Sequence, residues 1–301
     1  MIEKIKDYFI LILYYIFLFL FFITPKFLME KFLKFLAFLA YKVDKKHLKI
    51  ARANIDLVFK DSLTKSRKEE IIYNSYKSLC FNMYEHIENQ RVNKEILFSK
   101  ANILNKEIIE KAFKDNRKII YITAHYGGWE ITLPYIAMMF GEIAVVNRRM
   151  DNPHIQKKYE IGRSKNRITM LEKKSAAKGM LTAFKENKSI AVVIDQHIGS
   201  GIDIEFLGQK VKATDSTARV ALKFDAIIIP IFTVNNGFRD WTIEVQEPID
   251  VKTYEFKSED KIKELTQIQN DIVSNQILKK PDFWLWQHKR FKAYNDEIYK
   301  K

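Results

Sequence analysis

Ile119-Ile120-Tyr121-Ile122-Thr123-Ala124-His125-Tyr126-Gly127-Gly128-Trp129-Glu130 is an apolar run that stops at a polar, glycine-bearing turn. The six residues before His125 read as a buried strand. Ile131-Thr132-Leu133-Pro134-Tyr135-Ile136, which follows, reads as the start of a helix. Strand, sharp turn and helix form the unit of an open α/β sheet, and such sheets place their chemistry at the carboxyl ends of strands. His125 and Glu130 flank that turn. Gly127 and Gly128 let the backbone turn sharply and are expected to leave amides open to a ligand. A neutral imidazole held by a carboxylate can take a proton near pH 7, so the turn is equipped to activate a hydroxyl. An isolated H-x4-E is common, and the alternative is a histidine that only hydrogen-bonds at a turn.

Outward from this stretch the same alternation continues. Candidate strands are 119–123, 143–147, 189–195, 227–233 and 241–245, with helices predicted over 129–139, 153–167, 176–186 and 216–224. The order predicts an α/β sandwich around a largely parallel sheet. Residues 47–115 read mostly as helix. A further helix is expected over 259–278, and Pro281 is expected to open a last helix carrying Trp284, Trp286, His288, Lys289 and Arg290.

The amino end reads differently. From Tyr8 to Pro25 no residue is charged. A spanning helix needs about 17–25 apolar residues, so a membrane-anchoring helix is expected here. Phe27 to Tyr41 reads as an interfacial helix or one packed on the catalytic domain. Lys26, Lys31, Lys34, Lys42, Lys45 and Lys46 follow the apolar run and only Lys4 and Lys6 precede it, which predicts a cytoplasmic main domain. The expected division is an anchor over 1–46 and a catalytic domain over 47–301. A buried greasy helix in a soluble core is the alternative.

The 301 residues are 47% hydrophobic and carry a formal charge of +14, which fits a folded protein that attracts phosphates, anionic headgroups or acidic proteins. One cysteine, Cys80, excludes an internal disulfide. No cysteine cluster or histidine spacing suggests a metal site.

Further constellations sit at other strand ends. Asn147-Arg148-Arg149-Met150-Asp151-Asn152-Pro153 offers paired arginines for a phosphate or an oxyanion, or a solvated basic loop. Arg163, on the helix after it, is a candidate for the same patch. Asp195-Gln196-His197 ends an apolar strand, where Asp195 either caps a turn or holds an arginine or an acceptor sugar. Phe206-Leu207-Gly208-Gln209 suggests a short strand and a tight turn, with a helix cap at Thr214 or Asp215. In 284–292 aromatic and basic residues interleave, as at a membrane interface or a nucleic-acid surface, or on a terminal helix packed on the core.

The order of these motifs resembles the late acyltransferases of lipid A biosynthesis, the lauroyl/myristoyl acyltransferase family of Gram-negative inner membranes. The resemblance rests on Ala53-Asn54-Ile55, His125…Glu130, Arg148 with Asp151-Asn152-Pro153, Asp195-Gln196, 206–209, Ala218-Arg219 and Trp286…Lys289-Arg290-Phe291, and it covers nearly the whole chain. It implies a glycerolipid-acyltransferase-like α/β fold, an acyl carrier protein as acyl donor and a hydroxyl of a 3-hydroxyacyl chain on a Kdo-bearing lipid A precursor as acceptor. It implies no metal and no organic cofactor. His125 is then the expected general base, Glu130 the group that fixes its tautomer, and Arg148, Arg149, Arg163, Asp195, Gln196 and the amides of Gly127 and Gly128 the oxyanion and substrate contacts. Other readings are an acyltransferase for glycerol phosphate, a lysophospholipid or a glycolipid, and, from another class, a membrane-anchored nucleic-acid-binding protein. The last gives no reason for His125 and Glu130 to flank two glycines at a strand end.

Overall fold

Five consecutive apolar or weakly polar residues, Ile119 to Thr123, are buried on both faces of the sheet, because helices cover the strand above and below. This is the middle of the architecture in the computed structural model, which describes residues 2–91, 93–147, 152–172 and 176–300. In chain order, α1 (Ile2–Ile23), α2 (Lys26–Val43), α3 (Lys45–Phe59), α4 (Lys65–Glu88) and α5 (Lys94–Ser99) come first. Then follow β1 (Ala101–Leu104), α6 (Glu107–Lys114), β2 (Ile119–Thr123), α7 (Trp129–Phe140), β3 (Ile143–Asn147), α8 (Pro153–Lys165), β4 (Ile168–Glu172), α9 (Ala176–Lys185) and β5 (Ser189–Val193). A hairpin of β6 (Ile202–Phe206) and β7 (Gln209–Ala213) leads to α10 (Ser216–Phe224), β8 (Ile227–Gly237), β9 (Asp240–Val245), β10 (Ile249–Asp250), α11 (Lys261–Lys279) and α12 (Lys292–Asn295).

The main sheet runs β1-β9-β8-β2-β5-β3-β4, with β10 added beside β8. β2, β3, β4, β5 and β8 pair in parallel, and only the β8–β9 and β8–β10 pairs within this sheet are antiparallel. The expected mixed α/β class with a mostly parallel sheet is therefore present. β2 sits between β5 and β8, so the ends of β2, β5 and β8 meet at one edge of the molecule.

α4 is the support behind that edge. Its buried face carries Ser75, Ser78, Asn82, Glu85 and Glu88 among apolar neighbours. The buried Lys100 ammonium reaches Glu88 (2.9 Å) and Asn89 (2.6 Å), which compensates the carboxylates that α4 brings inside.

Two expectations need correction. A membrane-spanning helix is predicted at the amino end, but among the described residues no helix is long and apolar enough to cross a membrane. Leu18 and Phe21 of α1 are buried, and the Phe21 ring stacks on Tyr84 of α4 at 4.6 Å. Lys26, after the break at Pro25, donates to the Tyr84 hydroxyl (2.6 Å) and pairs with Glu88 (3.0 Å). Met29, Leu33 and Ala37 of α2 join the same apolar core. One face of these helices is thus spent on protein. Ile12, Ile16, Phe19, Leu20, Ile23, Phe27, Phe32 and Phe35 stay exposed.

The second correction concerns the carboxyl end. Pro281 opens only a single 3-10 turn, Pro281–Phe283, and no helix carries Trp284 to Arg290. The chain cannot stay helical there because its backbone bonds go elsewhere: the Leu285 amide donates to the His125 carbonyl (3.0 Å), and Tyr126 bridges Trp284. Trp284 and Trp286 are fully buried, so of the readings open for this stretch the structure has the tryptophans packed on the core, without the helix.

Candidate active site

His125 follows β2 at the sheet edge, and its ring is about one-fifth exposed (21%). Its Nδ1 lies 2.9 Å from Asp195 Oδ1, and its backbone amide donates to Asp195 Oδ2 at 2.9 Å. Asp195, two residues beyond β5, is wholly buried and also accepts from Trp284 Nε1 (2.7 Å). Three donors converge on one carboxylate. Burial opposes ionisation of Asp195, but the His125 imidazole, with further help from His288 and Trp284, holds its pKa far below the usual carboxylate range. For His125, burial lowers the pKa and Asp195 raises it, and the net direction is upward.

A carboxylate at Nδ1 makes that nitrogen the N–H donor, so Nε2 of the neutral ring carries the lone pair. Gln196 Nε2 lies 3.3 Å from His125 Nε2. The amide is the donor in that contact.

Glu130 does not hold the imidazole. Its carboxylate accepts from Arg163 Nη2 (2.6 Å) and lies 3.1 Å from His86 Nδ1. Arg163 Nε in turn donates to the Tyr159 hydroxyl (2.9 Å), and the His86 ring stacks on Tyr159 at 5.0 Å. Burial works against charge on Glu130, but Arg163 and then His86 outweigh it and keep the carboxyl ionised well below its ordinary range. The expected role of tautomer-fixing group passes from Glu130 to Asp195. Glu130 contributes only a through-space charge to the imidazole. Four positions separate the two on the turn, and α7 begins between them, which aims Glu130 toward α4 and α8.

The glycine amides are also not free. Gly127 N–H donates to the Phe283 carbonyl (2.9 Å) and Gly128 N–H to the Thr233 carbonyl (3.0 Å). The expectation that they cradle an oxyanion is therefore corrected: both serve to pin the turn against β8 and the 281–283 turn. The Gly127 carbonyl is taken by Asn82 of α4. The glycines are required by this close approach. Gly127 sits at φ +54°, and a Cβ there would lie 1.6 Å from the Thr233 carbonyl oxygen. Gly127→Ala is expected to destabilise the fold by at least the upper end of the about 1–3 kcal/mol typical of overpacking. Denaturant unfolding measures it, with Gly199→Ala, which meets nothing within 4 Å, as control.

Pro134 inside α7 has a local explanation. It lacks the N–H that would bond the Glu130 carbonyl one turn back. That carbonyl instead accepts from Asn89 Nδ2 (3.3 Å).

A cavity of about 1000 Å³ opens at the site. His125, Glu130, Arg163 and Gln196 line its polar part, and Leu133, Val145, Ile168, Met170, Met180 and Val192 line an apolar part. Asn147 lies on its wall. Arg148 and Arg149, expected here, lie outside the described residues. Arg163 is brought to the cavity, as part of the Glu130 cluster. Cys80 is buried on α4, and burial pushes its thiol up to about 11, which removes it as a nucleophile. Among the described residues no group of three histidine, cysteine or acidic side chains is placed to hold a metal ion.

Sequence reasoning singles out Ala53-Asn54-Ile55 and 284–292 but assigns them no part in holding the site, and it does not reach Ser75. Asn54, fully buried on α3, donates to the carbonyls of Trp286 and His288 (2.8 Å each) and accepts from the Tyr299 hydroxyl (2.6 Å). Ser75 Oγ donates to the Trp284 carbonyl (2.6 Å). His288 donates to the Leu285 carbonyl from Nδ1 (2.8 Å), and its Nε2 lies 3.2 Å from the Asp195 carbonyl. The carboxyl-terminal loop thus holds His125 and Asp195 from behind. A polar side chain inside an apolar helix face, such as Asn54 between Ala53 and Ile55, was the available signal.

The family model of the bacterial lipid A biosynthesis acyltransferases matches residues 3–293. A lipid A biosynthesis acyltransferase of Haemophilus influenzae is 24% identical over 268 residues, covering 85% of this chain and 81% of that protein.

Proposed function

From the premise that this chain belongs to the bacterial lipid A biosynthesis acyltransferase family, we propose that it moves a fatty acyl group from acyl carrier protein to a hydroxyl of a 3-hydroxyacyl chain on a Kdo-bearing lipid A precursor. The observation that carries this reading is the Asp195–His125 pair on the wall of a cavity lined by both polar and apolar side chains. A proton acceptor beside a chain-sized apolar space suits a reaction between two lipid-bearing substrates.

In the proposed reaction His125 Nε2 removes the acceptor hydroxyl proton as the oxygen attacks the thioester carbonyl. Asp195 stabilises the imidazolium that forms. Gln196 donates to the oxyanion of the tetrahedral intermediate, with Arg148 a second candidate donor. The intermediate expels the carrier thiolate, which takes the proton back from His125. The ester bond replaces the thioester bond and the imidazole returns to its neutral form. The thioester is already activated, so no covalent acyl-enzyme is needed. Glu130, fixed between Arg163 and His86, holds α8 and α4 at the cavity mouth and adds negative potential near the imidazolium.

The charge of +14 favours both an acidic carrier protein and an anionic acceptor lipid. The aromatic faces of α1 and α2 that stay exposed suit the inner membrane, with the catalytic body on its cytoplasmic side. The decisive assay supplies acyl carrier protein charged with a fatty acid and a Kdo-bearing lipid A precursor, with glycerol phosphate and lysophospholipid as competing acceptors. Mass gain on the lipid A precursor alone supports the reading. Acylation of a competitor instead rejects the acceptor assignment.

A further inference from the structure

Asp195, Gln196 and His197 are consecutive, and the reaction proposed above uses only the first two. His197 is half-buried and lines the catalytic cavity together with His125 and Gln196. Its two ring nitrogens differ. Nδ1 is buried, and among the described residues it has no hydrogen-bond partner. Nε2 is the nitrogen left uncovered on the cavity wall, and no protein group bonds it there. The charges that act on the ring are both positive. Burial first, then Arg290 and Lys292, hold the His197 pKa below the ordinary imidazole value. The ring is therefore neutral near pH 7 and carries one proton. Arg290 is itself fully buried, so its charge acts from the interior, the side on which Nδ1 lies. Among the described residues its guanidinium bonds only the Lys212 carbonyl (2.8 Å), and it can donate but not accept. A positive interior favours a lone pair at Nδ1 and leaves the proton on Nε2.

His125 has the opposite arrangement. Asp195 holds its proton at Nδ1 (2.9 Å), and Nε2 carries the lone pair. One cavity is thus lined by an imidazole that accepts a proton and by another that offers an N–H. Gln196, next to His197 in the chain, has its amide nitrogen 3.3 Å from His125 Nε2, which sets this loop against the point of proton transfer. When a hydroxyl attacks a thioester, the carbonyl oxygen becomes an oxyanion. A fixed N–H aimed at that oxygen stabilises it more than it stabilises the ground-state carbonyl. A histidine kept neutral by its surroundings can serve as such an electrophile. The positive field of Arg290 and Lys292 also makes the N–H a stronger donor. We propose that His197 is a second catalytic imidazole, whose Nε2–H binds the carbonyl oxygen of the acyl thioester, alongside Gln196, as that oxygen becomes negative. No proton leaves His197, and the ring is unchanged when the carbonyl re-forms and the thiolate departs. The role rests on the acyl-transfer reading above but not on the identity of the acceptor, because the carbonyl belongs to the donor.

The test compares the full-length protein with His197→Phe, which keeps a flat ring without a donor, and with His197→Gln, which keeps an amide donor. Circular dichroism is the fold control. Loss of one oxyanion donor is expected to lower kcat about 10²–10³-fold in His197→Phe, with KM unchanged for acylated carrier protein and for acceptor. His197→Gln is expected to recover most of that loss. The acid limb of the pH profile is expected to stay in place in both variants, because His125 sets it. Two-bond nitrogen–proton spectra of the histidine-labelled wild type, assigned by the signals missing from His197→Gln, are expected to show a neutral His197 ring with its proton on Nε2. A rise in acceptor KM alone makes His197 a ground-state contact and overturns the proposal. Equal losses in both variants, an unchanged kcat in His197→Phe, a shifted acid limb or a proton on Nδ1 overturn it as well. If the wild type acylates a competing acceptor instead of the lipid A precursor, the acceptor assignment fails, and the same variants are compared on that competitor. The spectra need no substrate and no variant that folds poorly, so a proton on Nδ1 overturns the proposal whatever the transfer assay gives.

Discussion

His125→Ala is expected to lower kcat by about 10²–10⁴-fold, the usual worth of a positioned general base, while the protein remains folded. The ring is removable without a core collapse because it is partly exposed and its neighbours Gln196 and Trp129 border an open cavity. The backbone contacts of the turn do not use the ring: the His125 amide still bonds Asp195, and its carbonyl still accepts from Leu285. Steady-state transfer from acylated carrier protein measures the effect, with thermal unfolding as control. Transfer at the wild-type rate would remove the imidazole from the mechanism.

Asp195→Asn is the sharper experiment, because it separates the two carboxylates. An asparagine amide can donate to Nδ1 and favour the tautomer that carries its proton on Nε2, where the base must accept. A loss of up to about 10⁴-fold in kcat is expected by analogy with hydrolase triads, where the same change is known. The pH dependence gives an independent sign. The base works only when neutral, so activity falls as pH drops through the His125 pKa. Asp195 raises that pKa, so the acid limb of kcat/KM in the wild type lies above the ordinary imidazole value of about 6.5. Without the Asp195 charge the limb moves to lower pH. Glu130→Gln is expected to move it much less, since Glu130 acts on the imidazole only through space and is itself paired with Arg163. A larger shift from Glu130→Gln than from Asp195→Asn would restore Glu130 as the partner of the ring. The pair also links folding to pH. The His125 contribution is fully present below its unfolded pKa and is lost as pH rises through the raised folded value. The Asp195 contribution is present above about 3.9 and is lost as pH falls toward its depressed value.

Much of the scaffold is legible before any fold is known. β2 and β3 have the expected bounds, and α7, α8, α9 and α10 lie within a few residues of expectation. Long apolar runs and helix periodicity are local signals, and burial on both faces of a parallel strand leaves a continuous apolar record. β1 and β4 escaped because each is short and its exposure is mixed, so neither carries a clean pattern. The helix expected after Pro281 failed because Trp284, Leu285 and Trp286 are claimed by partners far away in the chain, Asp195, His125 and Asn54 in turn.

Sequence alone determined that a histidine stands at the carboxyl end of a strand, that two glycines after it let the chain turn, and that Asp195 and Gln196 end another strand. Which carboxylate faces the imidazole was decided only by the tertiary structure. Glu130 is near His125 along the chain, but a helix turns it away. Asp195 is 70 residues distant, but parallel pairing of β2 with β5 sets the two strand ends side by side. Hydrogen bonds depend on separation in space, and strand order is written in long-range packing that no local stretch of residues records.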